Sequence, residues 1–362
     1  MTVARASERL RVGLDVGGTK VLGVLLDGDR VRRTLRLPTQ HGIDGVVGTA
    51  ARAVRELCAA HGVEPGALAG VGLCLPGIVD PRTGTVSHAV NLLIDEPSVP
   101  VGPLLSSRLG GVPVAVENDL NAAALGAADV LGLDDMALLA LGTGLAAGLV
   151  LDGRLRRGHA GAAGEIGHLP YLPGGALCAC GQRGCLEVYA SGSALDAAWA
   201  ASHPGTDARD LFAAVTAGDP AAIVVLDRFA DAVATAVRFL VLGADVEHVV
   251  LGGGVAQGGE PLRAAVVAAV ERHVAGSPFL RSLAIPERVA LVPPGVPVGP
   301  IGAALATHGD TLPGHREADG MPQVRFDTAA ALDIRAASTL PAPAPAPAAS
   351  DLAASTAGDD AS

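Results

Sequence analysis

VGLDVGGTKVLGVLLDGD, residues 12–29, is repeated in altered form as ALLALGTGLAAGLVLDGR at residues 137–154. Each copy has the pattern of a strand, a glycine-rich turn and a second strand. The repeat predicts two backbone cradles that face one anionic ligand from two lobes, because N–H groups at small residues form anion-binding concavities. Two unrelated hairpins that agree by chance are the alternative. Aligned without a gap, the identical pairs are Leu14/Leu139, Gly17/Gly142, Gly23/Gly148, Leu26/Leu151, Asp27/Asp152 and Gly28/Gly153.

The first of these turns, LDVGGTK, carries groups suited to a nucleotide phosphate. Gly17 and Gly18 let backbone N–H groups point into one concavity, and Thr19 and Lys20 add a hydroxyl and a cation. Asp15 lies at the mouth, where a carboxylate would hold Mg²⁺ directly or through water. The chain has no G-x-x-x-x-G-K-[ST] segment and no G-x-G-x-x-G turn after a strand, which disfavours the P-loop and Rossmann classes. An ordinary hairpin turn is the alternative.

Two further glycine segments extend the nucleotide prediction. The second copy of the repeat places Gly142, Thr143 and Gly144 in the corresponding turn. The run LGGGVAQGG follows a predicted strand, and Gly253 and Gly254 there offer backbone without Cβ atoms, against which a flat nucleotide base fits. A strand-to-helix turn without a ligand is the alternative. We therefore predict ATP-binding residues in three places along the chain.

The composition indicates a globular protein of two lobes. Of its 362 residues, 49% are hydrophobic, 17% are charged and only 2% are aromatic, so the cores must consist mainly of Ala, Val and Leu. A net charge of −11 without a basic stripe argues against a nucleic-acid partner. The sequence has no signal-peptide pattern and no apolar run long enough to span a bilayer. We therefore expect a cytoplasmic protein without a membrane partner.

Strand and helix patterns alternate along the chain, which indicates the α/β class. The spacing predicts a strand meander over Arg9–Pro38 and a helix over Ile43–His61 with Gly62 at its C-cap. The tail after Asp310 is rich in Pro, Ala, Ser and Asp, so we predict disorder over residues 335–362. Further strands are predicted at LAGVGLCL, VPVAVEN, MALLALGTG, LAAGLVLDG, EHVVLGGGV and RVALVPP, and further helices from Leu120, after Ser191, at Pro261–Ala275 and at Pro300–Thr307.

The segment VPVAVENDLNAAALGA places polar residues at the junction of an apolar strand and an Ala-rich helix. Glu117, Asn118 and Asp119 lie at this junction, and ligands of open α/β sheets bind at the carboxyl ends of strands. Asp119 is a candidate general base that accepts a hydroxyl proton as the hydroxyl attacks a phosphoryl group, with Asn118 orienting the substrate beside it. The alternative is that Asp119 is the helix N-cap.

A histidine and three clustered cysteines have the spacing H-x₉-C-x-C-x₄-C. His168, Cys178, Cys180 and Cys185 supply a complete tetrahedral shell for zinc, with no position left for water, so the predicted site is structural. The total of five cysteines is odd and does not suggest a disulfide framework. Free thiols in a loop are the alternative.

These segments together resemble the ROK family of bacterial sugar kinases. The resemblance runs from Arg9 to Thr307 and keeps the family's order of motifs. The second glycine turn and the cysteine block are its specific parts. The motifs are LDVGGTK, LPGIVD, VENDLNAAALGA, LALGTGLAAGLV, GHAGAAGEIGH with CACGQRGCLE, and LGGGV.

The resemblance implies a two-lobed actin-like, ribonuclease-H-like ATPase fold. We expect a small lobe over residues 9–118, a larger lobe over 119–310 whose last helix packs on the small lobe, and a tail over 311–362. It also implies a homo-oligomer, dimer or tetramer, that uses ATP and Mg²⁺ and contains structural zinc. Asp119 would be the catalytic base, and the implied sugar contacts are Gly77, Asn118, Asp119, Glu165, His168 and Glu187.

The expected reaction is phosphorylation of glucose to glucose 6-phosphate, with an N-acetylmannosamine, N-acetylglucosamine or fructose kinase as alternatives. Ala146 and Ala147 stand where the family commonly has glycines, and NLLIDEP lacks a tryptophan often found in ROK glucokinases. The few residues before the first strand argue against the family's winged-helix repressors, and the cysteine block disfavours a polyphosphate-using glucokinase. A sugar-sensing regulator without catalysis is the alternative from another class, and a structural zinc protein would leave the two turns unexplained.

Overall fold

The computed structural model describes residues 10–309. The predicted tail, including the disorder expected over residues 335–362, lies outside the described residues. The strands are β1 (Leu10–Val16), β2 (Lys20–Asp27), β3 (Arg30–Pro38), β4 (Gly70–Leu75), β5 (Ile78–Asp80), β6 (Thr85–Ser87), β7 (Val114–Asn118), β8 (Met136–Leu141), β9 (Leu145–Leu151), β10 (Arg154–Arg156), β11 (His248–Gly252) and β12 (Val289–Leu291). The helices are α1 (Gly42–His61), α2 (Val101–Arg108), α3 (Asp119–Leu131), α4 (Glu187–Ala190), α5 (Gly192–Ala200), α6 (Ala208–Thr216), α7 (Pro220–Ala244), α8 (Glu260–Val274), α9 (Pro278–Ser282) and α10 (Val298–Ala306).

Two five-stranded sheets share one topology. The first has the strand order β3-β2-β1-β4-β7 and the second β10-β9-β8-β11-β12. In each sheet the three strands earliest in the chain form an antiparallel meander, and the last two pair in parallel. The two copies of the sequence repeat form β1–β2 and β8–β9, so the duplication that the repeat predicted is present in the fold. A separate hairpin pairs β5 with β6.

Local sequence accounts for the main elements. The apolar residues of α1 recur at helical spacing and lie buried, and the helix ends at Gly62, which adopts a left-handed φ of 78°. All residues of β4 are buried, as expected for a central strand with parallel neighbours on both sides. The predicted helix over Ile43–His61 and the predicted strand meander are therefore confirmed.

Helices α3 and α10 lie between the two sheets. α10 is the last described helix, and it packs on β1 and β4 of the first sheet as well as on α3. The two helices approach closely at glycines, because a Cβ at Gly126 would lie 2.0 Å from the carbonyl oxygen of Val298, and one at Gly302 would lie 1.7 Å from that of Ala122. Their apolar residues join strands of both sheets in one core, which links the two halves of the protein.

None of the helices within residues 10–309 combines the length and the hydropathy needed to cross a bilayer.

Candidate active site

The carboxyl ends of three neighbouring parallel strands form one edge of the site. The register of β1, β4 and β7 sets Asp15 beside Cys74 and Cys74 beside Glu117. Asn118 ends β7, and Asp119 begins α3. Ligands of open α/β sheets bind outside such strand ends. The structure therefore brings Asp15 and Asp119, which lie far apart in the sequence, to the same edge.

Asn118, and not Asp119, is the N-cap of α3. Oδ1 of Asn118 accepts hydrogen bonds from the backbone N–H groups of Leu120 at 3.0 Å and Asn121 at 3.2 Å, which satisfies two free donors of the helix. Its Nδ2 donates to the carbonyl oxygen of Gly77 at 3.2 Å, so two predicted sugar contacts touch each other. Asp119 is the first helical residue, and its Oδ1 accepts from the Leu120 N–H at 2.9 Å. The interpretation of Asp119 as the helix cap is wrong.

Gly77 has a backbone conformation that favours glycine. Its φ is 110°, and a Cβ there would lie only 2.7 Å from the carbonyl oxygen of Ser87 at the end of β6. The β5–β6 hairpin thus holds the Gly77 carbonyl where the Asn118 side chain reaches it. A side chain at this position would displace the hairpin from the strand end.

Asp15 and Asp119 are two carboxyl groups in one confined space. Burial and the negative charge of Asp119 raise the pKa of Asp15 to about 6, although Lys20 acts in the opposite direction. Burial also raises the pKa of Asp119, against the effect of its hydrogen bond from the Leu120 N–H. Both carboxyl groups therefore hold a proton more readily than an exposed aspartate does. A carboxylate of this kind is a suitable proton acceptor, and the facing pair offers hard oxygen ligands to a divalent cation.

The first glycine turn, between β1 and β2, is closed by its own backbone. The Gly17 N–H donates to the carbonyl oxygen of Lys20 at 3.0 Å. Gly18 packs against the segment after β6, since a Cβ there would lie 2.9 Å from the carbonyl oxygen of Asn91. Thr19 and Lys20 are exposed. The turn therefore presents the predicted hydroxyl and cation at its surface.

The second glycine turn, between β8 and β9, is held by the N-terminus of α5. The Gly142 N–H donates to the carbonyl oxygen of Gly144 at 3.1 Å. The Gly192 N–H donates to the carbonyl oxygen of Gly142 at 2.6 Å, and the Ser193 hydroxyl donates to that of Thr143 at 2.8 Å. A helix N-terminus next to the turn adds positive potential, which favours a phosphate group.

The third glycine run lies beside the second turn. A Cβ at Gly253 would lie 2.6 Å from the carbonyl oxygen of Leu141, the residue before Gly142. Gly254 faces open space, because nothing lies within 4 Å of a Cβ at that position. The structure therefore brings together two of the three segments predicted to bind ATP.

The four predicted zinc ligands lie together. One donor atom from each of His168, Cys178, Cys180 and Cys185 lies within 4.8 Å of the other three. Cys180 Sγ and Cys185 Sγ are 3.6 Å apart, close to the separation of about 3.8 Å that two Zn–S bonds of about 2.3 Å give in a tetrahedral site. His168 turns Nδ1 toward Cys178 Sγ at 3.8 Å and Nε2 toward the Glu165 carboxylate at 3.9 Å. The donor set and its spacing fit zinc, with the second imidazole nitrogen left on the Glu165 side.

Glu187 connects this cluster to the second glycine turn. Its Oε2 accepts a hydrogen bond from the Leu145 N–H at 3.0 Å, and its Oε1 lies 3.9 Å from Cys178 Sγ. A Cβ at Gly144 would lie 2.5 Å from Oε2, so glycine is needed for this approach. The sequence predicted Glu187 as a sugar contact and did not predict its bond to the turn.

Two further residues of this edge have no role predicted from the sequence. Glu117 is buried with 2% of its surface exposed, and Arg157 donates to its Oε2 from both Nε and Nη2. A charged residue at the end of the apolar strand VPVAVEN was the available signal for Glu117. Nothing in the sequence marks Arg157 among the neighbouring arginines.

A family match confirms the resemblance. Residues 11–290 match the description "ROK family". The chain belongs to the ROK family. All the motifs named above lie in this range. The last helix, α10, follows it in the chain and packs on the first sheet.

Three proteins illustrate what the chain is similar to. The chain is 35% identical to a glucokinase from Halalkalibacterium halodurans over 283 residues, which cover 71% of this chain and 83% of that protein. It is 32% identical to an N-acetylmannosamine kinase from Citrobacter koseri over 308 residues, which cover 83% of this chain and 99% of that protein. The crystal structure of a ROK family glucokinase from Streptomyces griseus in complex with glucose and AMPPNP is similar with a TM-score of 0.67 and 32% identity, covering 82% of this chain and 98% of that chain.

Ala147, which stands where the ROK family commonly has glycine, is accommodated in the core. Ala147 is 1% exposed and lies in the core of the second sheet, and its N–H donates to the carbonyl oxygen of Gly164 at 2.8 Å. Its methyl group therefore points into the core and not at the second glycine turn.

Proposed function

We propose that this ROK protein transfers the γ-phosphoryl group of ATP to a hexose, with glucose as the preferred acceptor and Asp119 as the general base. The observation that carries the proposal is that Asn118 caps α3. Asp119 is half-buried at the helix start, where its Oδ1 only shares the Leu120 N–H that Asn118 already caps. Burial raises its pKa toward the range in which a carboxylate accepts a proton efficiently. Transfer of the hydroxyl proton to Asp119 would accompany attack of the sugar oxygen on phosphorus.

The two glycine turns support the placement of ATP. Each turn offers backbone N–H groups and a threonine, and together they follow the duplicated topology expected for an actin-like, ribonuclease-H-like fold. The predicted phosphate contacts at Gly17, Gly18, Thr19, Lys20, Gly142, Thr143 and Gly144 and the predicted base contacts at Gly253 and Gly254 belong to this proposal.

Asp15 is the proposed magnesium residue. Its carboxylate lies next to the first turn and is repelled by Asp119, so a divalent cation would relieve an unfavourable pair of charges. Mg²⁺, when bound, neutralises charge on the phosphates of ATP. Asp15 would hold the ion directly or through water.

His168, Cys178, Cys180 and Cys185 would hold a structural zinc ion. The donor set leaves no ligand position open, so the ion would order the segment around it without taking part in the reaction. We propose that the sugar lies between this segment and the end of β7. Its hydroxyl groups would contact Gly77, Asn118, Glu165, His168 and Glu187.

Glucose is proposed because the relatives described above include glucokinases, one of them crystallised with glucose and AMPPNP. N-acetylmannosamine is the second candidate acceptor, because the kinase from Citrobacter koseri aligns over 99% of its length. Phosphorylation of either sugar would use the same catalytic residue and the same nucleotide site. A dimer or tetramer is proposed for the protein by analogy with the family.

A coupled assay of ADP release with a panel of hexoses and N-acetylhexosamines tests the proposal. We expect turnover with glucose that requires both ATP and Mg²⁺. Asp119→Asn should lower kcat by about 10² to 10⁴-fold with sugar binding largely kept, since the amide still hydrogen-bonds the hydroxyl but takes no proton. Asp44→Asn, in the first turn of α1, is the matched control and should retain activity. Sugar binding without turnover in the wild type would instead indicate a sensing regulator, and near-normal turnover of Asp119→Asn would exclude Asp119 as the base.

A further inference from the structure

The Glu117 carboxylate accepts four hydrogen bonds in a buried position. Oε1 accepts from the Asn118 N–H at 2.9 Å and from Asn121 Nδ2 at 3.1 Å. Oε2 accepts from Arg157 Nε at 2.9 Å and from Arg157 Nη2 at 2.5 Å. Glu117 is only 2% exposed, and the Arg157 side chain is 19% exposed. A charge pair shielded in this way has strong directional interactions.

This ion pair joins the two sheets at the site. Glu117 lies in β7 of the first sheet, directly before Asn118 and Asp119. Arg157 follows β10, the edge strand of the second sheet, and its carbonyl oxygen accepts from the Ala163 N–H at 3.1 Å. The turn closed by this bond leads directly into the segment that carries Glu165 and His168. The pair therefore connects the strand end that presents Asp119 to the segment that presents the predicted sugar contacts.

We propose that Glu117 and Arg157 are positioning residues of the phosphoryl-transfer site. Their ion pair fixes the separation between Asp119 on one side and the segment of residues 157–168 on the other, so that the sugar hydroxyl meets the base. The inference rests on the proposed function, because it takes Asp119 as the base and Glu165 and His168 as sugar contacts. Displacement of a bound reactant by about 1 Å costs up to about a hundredfold in rate, which makes such a connection important for catalysis.

The chemistry of the four contacts suggests how to weaken the connection without removing it. All four groups that contact the Glu117 carboxylate are N–H donors. In Glu117→Gln the amide NH₂ must therefore face one of these donors, whichever way the amide is oriented. Arg157→Lys keeps the positive charge but replaces two nitrogen donors by one, so the ion pair loses its fixed orientation. Arg157→Lys keeps the charge of the pair and changes its geometry. Glu117→Gln keeps the volume but removes the negative charge, so the two variants separate the loss of orientation from the loss of charge.

Steady-state kinetics of the full-length protein with sugar and ATP varied separately test the proposal. Arg157→Lys and Glu117→Gln should lower kcat/KM for the sugar by about tenfold to a hundredfold, while ATP affinity without sugar changes by less than about twofold. Arg157→Ala should also lower kcat/KM for the sugar, and millimolar guanidinium should restore part of the activity of this variant. Arg288→Lys is the matched control, because the Arg288 side chain is 22% exposed and contacts Asp245 and the Val246 carbonyl in the connection between α7 and β11. It should lower the melting temperature and leave kcat/KM unchanged.

Two results would overturn the inference. One is a wild-type kcat/KM for the sugar in Arg157→Lys. The other is a parallel loss of sugar turnover, ATP affinity and melting temperature without rescue by guanidinium, which would mean a purely structural role. Failure of the proposed function looks different: the wild type would phosphorylate no hexose, or Asp119→Asn would remain active. The two failures are therefore distinguishable in one set of measurements.

Discussion

Oε2 of Glu187 accepts a 3.0 Å hydrogen bond from the backbone N–H of Leu145, the first residue of β9 after the second glycine turn. The same carboxylate reaches toward the Cys178 thiol with its other oxygen. One side chain thus contacts the predicted zinc cluster and the predicted ATP turn. A change at the cluster should therefore reach the nucleotide site through this residue.

Replacement of Glu187 should affect ATP as well as sugar. Glu187→Ala leaves the Leu145 N–H without its acceptor, and we expect KM for ATP to rise by about five- to tenfold, which corresponds to the net contribution of one typical hydrogen bond, about 1 kcal/mol. Glu187→Gln keeps one acceptor oxygen and should retain ATP affinity while sugar affinity falls. KM values for both substrates are the measurement. Glu165→Ala is the control, because the Glu165 side chain is 59% exposed and should change KM for the sugar alone; equal effects of both alanine variants on ATP would contradict the connection.

Loss of the metal should also affect both the sugar site and the second glycine turn. The purified protein is expected to contain one zinc per chain, and Cys180→Ser should lose it together with sugar affinity. Because the Leu145 N–H donates to Glu187, we also expect faster hydrogen exchange at the start of β9 in this variant. Elemental analysis and hydrogen exchange of the wild type and the variant check this. Cys58→Ser, at a buried cysteine of α1 outside the cluster, is the control and should keep the metal.

The fold was predictable because the repeated segment is local information. Both copies form the expected hairpins. Parallel pairing of β1, β4 and β7 brings Asp15 to the same edge as Asp119, the first residue of α3. The long-range side-chain contacts of the site were not predictable from spacing. Arg157, which no motif marks, contacts Glu117 across the two sheets. Glu187 and Leu145 lie in separate motifs, and neither motif indicates that the two residues touch. Such pairs depend on how elements pack, which a single sequence does not encode as a motif.

Asp15→Asn should stabilise the ligand-free protein at neutral pH. The pKa of Asp15 is raised from the ordinary value of 3.8 to about 6, so between these pH values the folded protein binds more protons than the unfolded chain. The free energy of unfolding of the wild type therefore falls as the pH rises through this window, and the loss is complete above it, at about 1 to 3 kcal/mol.

Asparagine carries no charge, so the advantage of the variant should be present at about pH 8 and nearly absent at about pH 4. Thermal unfolding at these two pH values without Mg²⁺ or ATP is the measurement, with Asp95→Asn at an exposed position as the control. Activity should fall in Asp15→Asn, since the proposed magnesium residue is lost. A stability difference that does not change with pH would mean that burial and Asp119 do not raise the pKa of Asp15 in the folded protein.

A single methyl group at the second glycine turn provides the sharpest test of the contact between Glu187 and Leu145. A Cβ at Gly144 would lie 2.5 Å from Glu187 Oε2, whereas nothing lies within 4 Å of a Cβ at Gly142 in the same turn. Neither glycine has a positive φ, so alanine adds no backbone strain at either position. Gly144→Ala must push the carboxylate away from the Leu145 N–H, which should cost about 1 to 2 kcal/mol and lower the melting temperature by a few degrees. Gly142→Ala should leave the melting temperature unchanged. Equal melting temperatures for the two variants would show that Glu187 moves aside freely and that its bond to the turn contributes little to the fold.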